Sequence, residues 1–330
     1  MTRPRGPHPL PLFLATISHV CGDDRARLAR VLAGLARYQQ AAAPAPRAIL
    51  PAIASVGTVS LRAFAATGTP LLVVPSLINP PDVLDLAPGN SLLGHLATAG
   101  FRPLLVDWGD TPEPLGLNAL VAERLVPLIA SLGAPAPAIG YCLGGTLLLA
   151  AARGGGITRA ALLATPWRFG DYPPETAAGI ARWWQQAKGI AAPLGLVPMD
   201  LLQPAFWSID PEALASKFER LAETPDADVL PFARLEDWAN GGAPLSLAAA
   251  ADLVGLYEGG ATGLGGADRP GIPLLDVVAT RDRIVPAAAA LTTPGDPARL
   301  AIASGHVGMI VSREAPGLLH GPLAQFLAGR

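Results

Sequence analysis

Lysine is nearly missing from this chain: Lys188 and Lys217 are the only two in 330 residues, and arginine carries the rest of the positive charge. Charged residues of both signs reach only 15%, with a formal net charge of −2. The basic residues are scattered, which excludes the basic patch of a nucleic-acid-binding protein. With abundant Ala, Gly and Pro, the lysine deficit reads as compositional bias rather than function. Cysteine is equally scarce. Cys21 and Cys142 stand too far apart for a disulfide framework, so a reducing, cytoplasmic setting is expected. No uninterrupted apolar run reaches the roughly 18 to 20 residues of a membrane span. The stretch 10–20 is apolar and follows Arg3 and Arg5, yet it contains Pro11 and His19 and runs into Asp23-Asp24-Arg25. It lacks an Ala-x-Ala cleavage site, so it is read as a helix and not as a secretory signal.

What is present is apolar sequence, 51% of the chain, enough for a sizeable core. Residues 10–42 predict two helices, the second carrying Leu28, Val31, Leu32, Leu35 and Tyr38 at helical spacing and capped by Asp23 or Asp24. The Ala/Pro stretch 41–51 reads as a connector. From residue 69 strand and helix alternate: strand 71–74, helix 90–99, strand 103–107, helix 115–132, a strand before residue 140, a helix after it, and strand 160–164. That order predicts an α/β fold with a mostly parallel sheet flanked by helices. The alternation stops at Thr165-Pro166. Residues 167–265 hold five of the six tryptophans and read as a helical cap insertion, with the Gly-rich 259–266 as a loop. Strands resume at 272–278 and 300–303, and a helix over 314–327 follows. The expected division is a helical segment over 1–50 and a catalytic domain over 51–330.

The chemistry centres on Gly140-Tyr141-Cys142-Leu143-Gly144-Gly145-Thr146. Strand, sharp turn with a nucleophile, then an apolar helix is the layout of a nucleophile elbow, the lipase-box arrangement of α/β-hydrolases. Gly140, Gly144 and Gly145 make room for so tight a turn. Cys142 at a helix N-terminus is placed to be a thiolate. Nucleophile, acid and histidine each follow a predicted strand in the order Cys142, Asp282, His306, the order of an α/β-hydrolase triad. Asp276 and Asp107 are the weaker candidates for the acid, because Asp276 lies inside a strand and Asp107 follows an early one. His8, His19, His95 and His320 are assigned surface or packing roles, and Cys21 a structural one. An oxyanion hole needs two backbone N–H donors. One is assigned to Leu143 and the other to Leu77 or Ile78, in the loop after the first strong strand. A cysteine acyl-enzyme is itself a thioester, so exchange with a coenzyme A thioester is nearly thermoneutral, and the acyl group stays reactive toward a hydroxyl.

Four blocks resemble the polyhydroxyalkanoate synthases, α/β-hydrolase-fold enzymes that polymerise hydroxyacyl groups on a cysteine. They are residues 75–92 around Leu84-Asp85-Leu86-Ala87-Pro88-Gly89-Asn90-Ser91, then Val106-Asp107-Trp108-Gly109, then the elbow, and finally Arg281-Asp282-Arg283-Ile284-Val285-Pro286 with Gly305-His306-Val307-Gly308-Met309-Ile310-Val311-Ser312. The resemblance is nearest to the short catalytic subunit of two-component synthases. It implies a catalytic Cys142, Asp282 and His306, a 3-hydroxyacyl-CoA thioester as substrate, and no permanently bound cofactor or metal. The partners it implies are a second synthase subunit, a polymer granule surface or a homodimer. Where the family has Asp-His, this chain has Asp282-Arg283. An intracellular thioesterase, esterase or polymer depolymerase on the same active site is the alternative enzyme. A non-catalytic granule-associated subunit is the third reading.

Overall fold

The computed structural model describes residues 5–43, 47–259, 264 and 269–330, and the chain divides into two compact units. Residues 44–46 of the expected connector and most of the Gly-rich 259–266 lie outside the described residues.

The larger unit spans 49–197 and 243–330. Its sheet has eight strands, numbered here in chain order: β1 Ala52–Val56, β2 Val59–Ala63, β3 Thr69–Val74, β4 Phe101–Asp107, β5 Ala136–Tyr141, β6 Ile157–Leu163, β7 Leu274–Ala279 and β8 Arg299–Ile302. Their spatial order is β1-β2-β4-β3-β5-β6-β7-β8. β1 and β2 form an antiparallel hairpin, β2 runs antiparallel to β4, and every other pairing is parallel. The hairpin went unread in the sequence. Its turn is only Gly57-Thr58, and β1 is an exposed edge strand without a continuous apolar run.

The central strands are apolar on both faces because helices cover both faces. Leu71 to Val74, Ala136 to Tyr141 and Ala160 to Leu163 are all buried. β3 lies between β4 and β5, so the chain leaves β3 on one side and later returns on the other. Loops diverge at the carboxyl ends of such neighbours and leave a crevice there. The loop after β3 and the turn after β5 both lie at that edge, as register pairs Val74 with Gly140. The helix expected over 90–99 is Leu92–Thr98, because Asn90–Ser91 forms a short bridge with Asp85–Ala87 and Ser91 Oγ caps the helix from Gly94 N–H at 2.7 Å. The closing helix is broken, with a turn at Gly308–Val311 and the main run from Pro316 to Leu327.

The smaller unit combines 1–48 with 198–242. Helices Leu10–Cys21 and Arg25–Gln40 pack with Met199–Trp207, Pro211–Glu223 and Asp226–Ala239. Asp24 supplies the cap, its Oδ1 accepting from Arg27 N–H at 2.8 Å. Phe13, Val31, Leu35, Tyr38 and Phe218 fill the core, and Phe13 and Phe218 meet edge to face at 5.1 Å. Leu32 lies off that stripe, 39% exposed. Arg37 donates to the terminal carbonyls of helix Pro211–Glu223, at 2.8 Å to Leu221 and 2.6 Å to Thr224, which satisfies groups the helix leaves unpaired. Of the interval 167–265, therefore, 198–242 packs with the N-terminal helices. Helices Pro174–Ala191 and Leu247–Tyr257, with the short pairing of Leu196–Val197 against Leu245–Ser246, stay with the sheet.

Candidate active site

Cys142 stands between β5 and helix Leu143–Ala152 with φ 53° and ψ −132°. A side chain in that region costs about 1–3 kcal/mol and persists only where its surroundings impose it. Here they do. Cys142 N–H donates to Leu163 O and its carbonyl accepts from Gly145 N–H, both at 2.9 Å. A Cβ on Gly140 would sit 2.3 Å from Gly145 Cα, one on Gly144 2.3 Å from the carbonyl oxygens of Val74 and Pro75, and one on Gly145 1.9 Å from Thr165 Oγ1. The three glycines let β5, the helix and the loop after β3 close around one residue.

His306 follows β8 and Asp282 follows β7, so both rise from the same sheet edge. His306 Nδ1 lies 2.6 Å from Asp282 Oδ2. Asp282 Oδ1 accepts the N–H groups of Ile284 at 2.8 Å and Val285 at 2.9 Å. The carboxylate thus has one oxygen fixed by backbone and the other by imidazole. The Cys142 side chain is hydrogen-bonded to the same imidazole, which leaves Nε2 as the nitrogen facing sulfur. Burial of the ring opposes its charge. The Cys142 sulfur and the hydrogen bonds from Asp282 and Cys142 outweigh burial and push His306 up to about 10. A sulfur nucleophile thus stands against an imidazole held by a carboxylate, an arrangement able to attack an electrophilic carbonyl and to pass a proton.

The rival acids are occupied elsewhere. Asp276, fully buried within β7, accepts from Thr292 N–H at 2.8 Å and Thr292 Oγ1 at 2.7 Å. Asp107 pairs with Arg62 and accepts from Gly109 N–H at 3.0 Å. Cys21 is buried in the helical unit, and burial raises its thiol. No group of three or more metal-ligating side chains occurs among the described residues.

Of the two loop amides considered, Ile78 N–H points to Ser76 Oγ at 3.4 Å, whereas Leu77 N–H makes no hydrogen bond among the described residues. Gly144 lies against Pro75, so this loop and the first turn of helix Leu143–Ala152 are adjacent. Trp108 Nε1–H donates to Pro75 O at 3.1 Å and pins the loop from the β4 side. That function of the Asp-Trp-Gly block is invisible in the sequence, since it depends on β4 lying beside β3.

Three aromatic residues missed by sequence reasoning pack near the elbow. Phe169, Tyr172 and Tyr257 form a ring cluster with centroids 4.9–6.1 Å apart. Phe169 and Tyr172 belong to the core against which Cys142 and Leu77 pack. Burial pushes Tyr172 far up and Tyr257 to about 12, and the charge at Cys142 adds to both, so the hydroxyls stay protonated donors. Tyr141, preceding the nucleophile, stacks obliquely on His306 at 5.4 Å.

No protein-family model matches the sequence. The chain is 27% identical over 297 residues to the poly(3-hydroxyalkanoate) polymerase subunit PhaC of Haloferax mediterranei, covering 79% of this chain and 59% of that protein. To the protein of the same name in Haloarcula marismortui it is 24% identical, covering 79% and 61%. To that of Allochromatium vinosum it is 26% identical, covering 76% and 78%. The chain thus spans about three-fifths of the length of the Haloferax and Haloarcula proteins. Among solved structures, BpoC of Mycobacterium tuberculosis superposes with a TM-score of 0.53 at 16% identity, covering 86% of this chain and 99% of that one. The bromoperoxidase of Bacillus anthracis superposes at 0.50 with 15% identity, covering 82% and 95%. These likenesses establish the α/β-hydrolase fold and a resemblance in sequence to the polyhydroxyalkanoate synthases.

Proposed function

We propose that this chain, which resembles the poly(3-hydroxyalkanoate) polymerase subunits, is a cysteine-dependent acyltransferase that builds polyester from 3-hydroxyacyl-CoA. The observation that carries the reading is the continuous line from Cys142 through His306 to Asp282 at one sheet edge. The Cys142 thiolate attacks the thioester carbonyl, and the developing oxyanion is received by the N–H groups of Leu143 and Leu77. Collapse breaks the carbon–sulfur bond to coenzyme A, whose thiolate takes the proton held on His306. The acyl group then sits on Cys142 as a thioester. His306, now neutral, removes the proton from the hydroxyl of an acceptor, which attacks the acyl carbon and forms the ester bond. Cys142 departs as thiolate, and the proton on His306 restores the ion pair.

Asp282 keeps Nδ1 protonated and so aims the Nε2 lone pair at sulfur or hydroxyl. Sulfur in place of a serine oxygen favours transfer over hydrolysis, because the exchange from one thioester to another is close to thermoneutral and leaves the acyl group activated for the downhill step to an ester. A second subunit or a granule surface as partner is part of this proposal, as is an intracellular location. No helix among the described residues is long and apolar enough to cross a membrane.

The test is product analysis with 3-hydroxybutyryl-CoA. Wild-type protein should release coenzyme A in step with polymer, and Cys142→Ala should do neither. Release of coenzyme A with free hydroxyacid and no polymer, with or without a partner subunit, would replace this reading by the thioesterase one.

A further inference from the structure

Side chains alternate along the strand that ends in the elbow, and the alternation places an aromatic ring on the triad. A Cβ on Gly140 would strike Gly145, so position 140 faces helix Leu143–Ala152. Tyr141, the last residue of β5, therefore projects to the opposite face. It is 3% exposed, and its ring centroid lies 5.4 Å from that of His306, with the planes tilted by 36°. Its hydroxyl is buried and has no hydrogen-bond partner among the described residues. A buried polar atom without a partner is uncommon and costs stability. The hydrogen-bonding half of this side chain is idle, and the ring is the part in contact with the triad.

The nitrogens of His306 fix its orientation only in part. Asp282 Oδ2, 2.6 Å from Nδ1, and the Cys142 side chain define a line across the imidazole. Rotation about that line preserves both hydrogen bonds, and a contact on the ring face opposes it. An aromatic face within about 6 Å of a cation also attracts it, the more so where water is excluded. The contact therefore favours the protonated ring over the neutral one. We infer that Tyr141 is a positioning residue for His306: its ring fixes the roll of the imidazole and stabilises the imidazolium, and its hydroxyl takes no part. The inference rests on the triad of the acyltransferase reading and says how that triad holds its proton.

The titratable groups that face His306 are Asp282 at Nδ1, Cys142 at the far nitrogen and Tyr141 on the ring. Burial, then the charges at Cys142 and Asp282, push the Tyr141 hydroxyl well above its usual range, so the phenol stays neutral while His306 titrates. His306, raised to about 10, holds its proton below that value and loses it above. Deleting the aromatic face should lower that point by about one pH unit, a tenfold smaller preference for the protonated form.

The test is a nitrogen NMR titration of the full chain labelled at histidine, with the His306 signal identified by its loss in His306→Gln. Tyr141→Leu and Tyr141→Met delete the ring but fill most of its space with apolar atoms, so the site stays dry. Both should titrate about one unit below wild type. Tyr141→Phe, which keeps the ring and discards the hydroxyl, should titrate with wild type. Coenzyme A release from 3-hydroxybutyryl-CoA should show the same split, with kcat about tenfold lower in the Leu and Met proteins and KM little changed. A folded Leu or Met protein that titrates with wild type would overturn the inference, and so would a Phe protein that titrates with the Leu one. Coenzyme A release unaffected by Cys142→Ala would sink the acyltransferase reading, while the titration would still decide what Tyr141 does to His306.

Discussion

Asp282→Asn separates the aiming of His306 from the integrity of the fold. In the native protein Oδ1 accepts two backbone N–H groups and Oδ2 receives the imidazole. An asparagine that keeps its oxygen on Ile284 and Val285 must turn its NH2 toward Nδ1. The flipped amide would instead oppose two N–H donors with its own, leaving both unsatisfied at about 1–3 kcal/mol each. The first orientation wins by several kcal/mol, so the loop survives and the histidine changes tautomer. Nδ1 becomes the acceptor, Nε2 carries the hydrogen, and the lone pair no longer faces Cys142. The same mutation removes a charge that helps hold His306 near 10.

Two readouts follow. Acyl transfer should fall by about 10⁴-fold, the loss that follows when a triad histidine takes the wrong tautomer. Alkylation of Cys142 by iodoacetamide should slow sharply at pH 7, because the imidazole lone pair no longer faces the sulfur. In wild type the sign runs the other way. A histidine raised from 6.5 to about 10 contributes ion-pair stability that is complete below 6.5 and lost as pH climbs through 10, so the imidazolium-assisted reactivity should fade across that upper limit. Wild-type alkylation and turnover in a folded Asp282→Asn protein would refute the reasoning.

Gly145→Ala would place a methyl 1.9 Å from Thr165 Oγ1 and 2.7 Å from its Cγ2. Overpacking of this kind costs about 1–3 kcal/mol, so thermal melting should show a drop of several degrees with loss of activity. Gly145→Ala with Thr165→Gly should recover part of it. Trp108→Phe deletes the hydrogen bond to Pro75 O while keeping an aromatic ring. Steady-state kinetics should show kcat lowered about tenfold with KM little changed and stability reduced by about 1 kcal/mol. An unchanged kcat would show that the loop holds its place without the indole.

Much of the site was legible because its signals are local. Gly-x-Cys-x-Gly-Gly records contacts within a few residues of the elbow, and strand-then-loop placement ordered Cys142, Asp282 and His306 before any distance was known. Strands buried on both faces announce themselves as apolar runs, so the parallel core from β3 to β7 was visible. The β1–β2 hairpin was not, because an exposed edge strand needs no such run. Leu77 and Ile78 were indistinguishable as text. The choice turns on Ser76 Oγ meeting one amide and leaving the other open, which is a matter of backbone torsion.

By itself, then, the sequence determined the sheet-forming segments, the strained turn at Cys142, and the chain order in which Cys142, Asp282 and His306 follow their strands, since each rests on residues adjacent in the chain. Only the tertiary structure decided which carboxylate meets His306, why Trp108 matters to a loop more than 30 residues away, and that Tyr141 packs on His306. It also decided that residues 198–242 pack with the N-terminal helices. Those are consequences of strands exchanging neighbours and helices burying their apolar faces, and no local pattern encodes the partner.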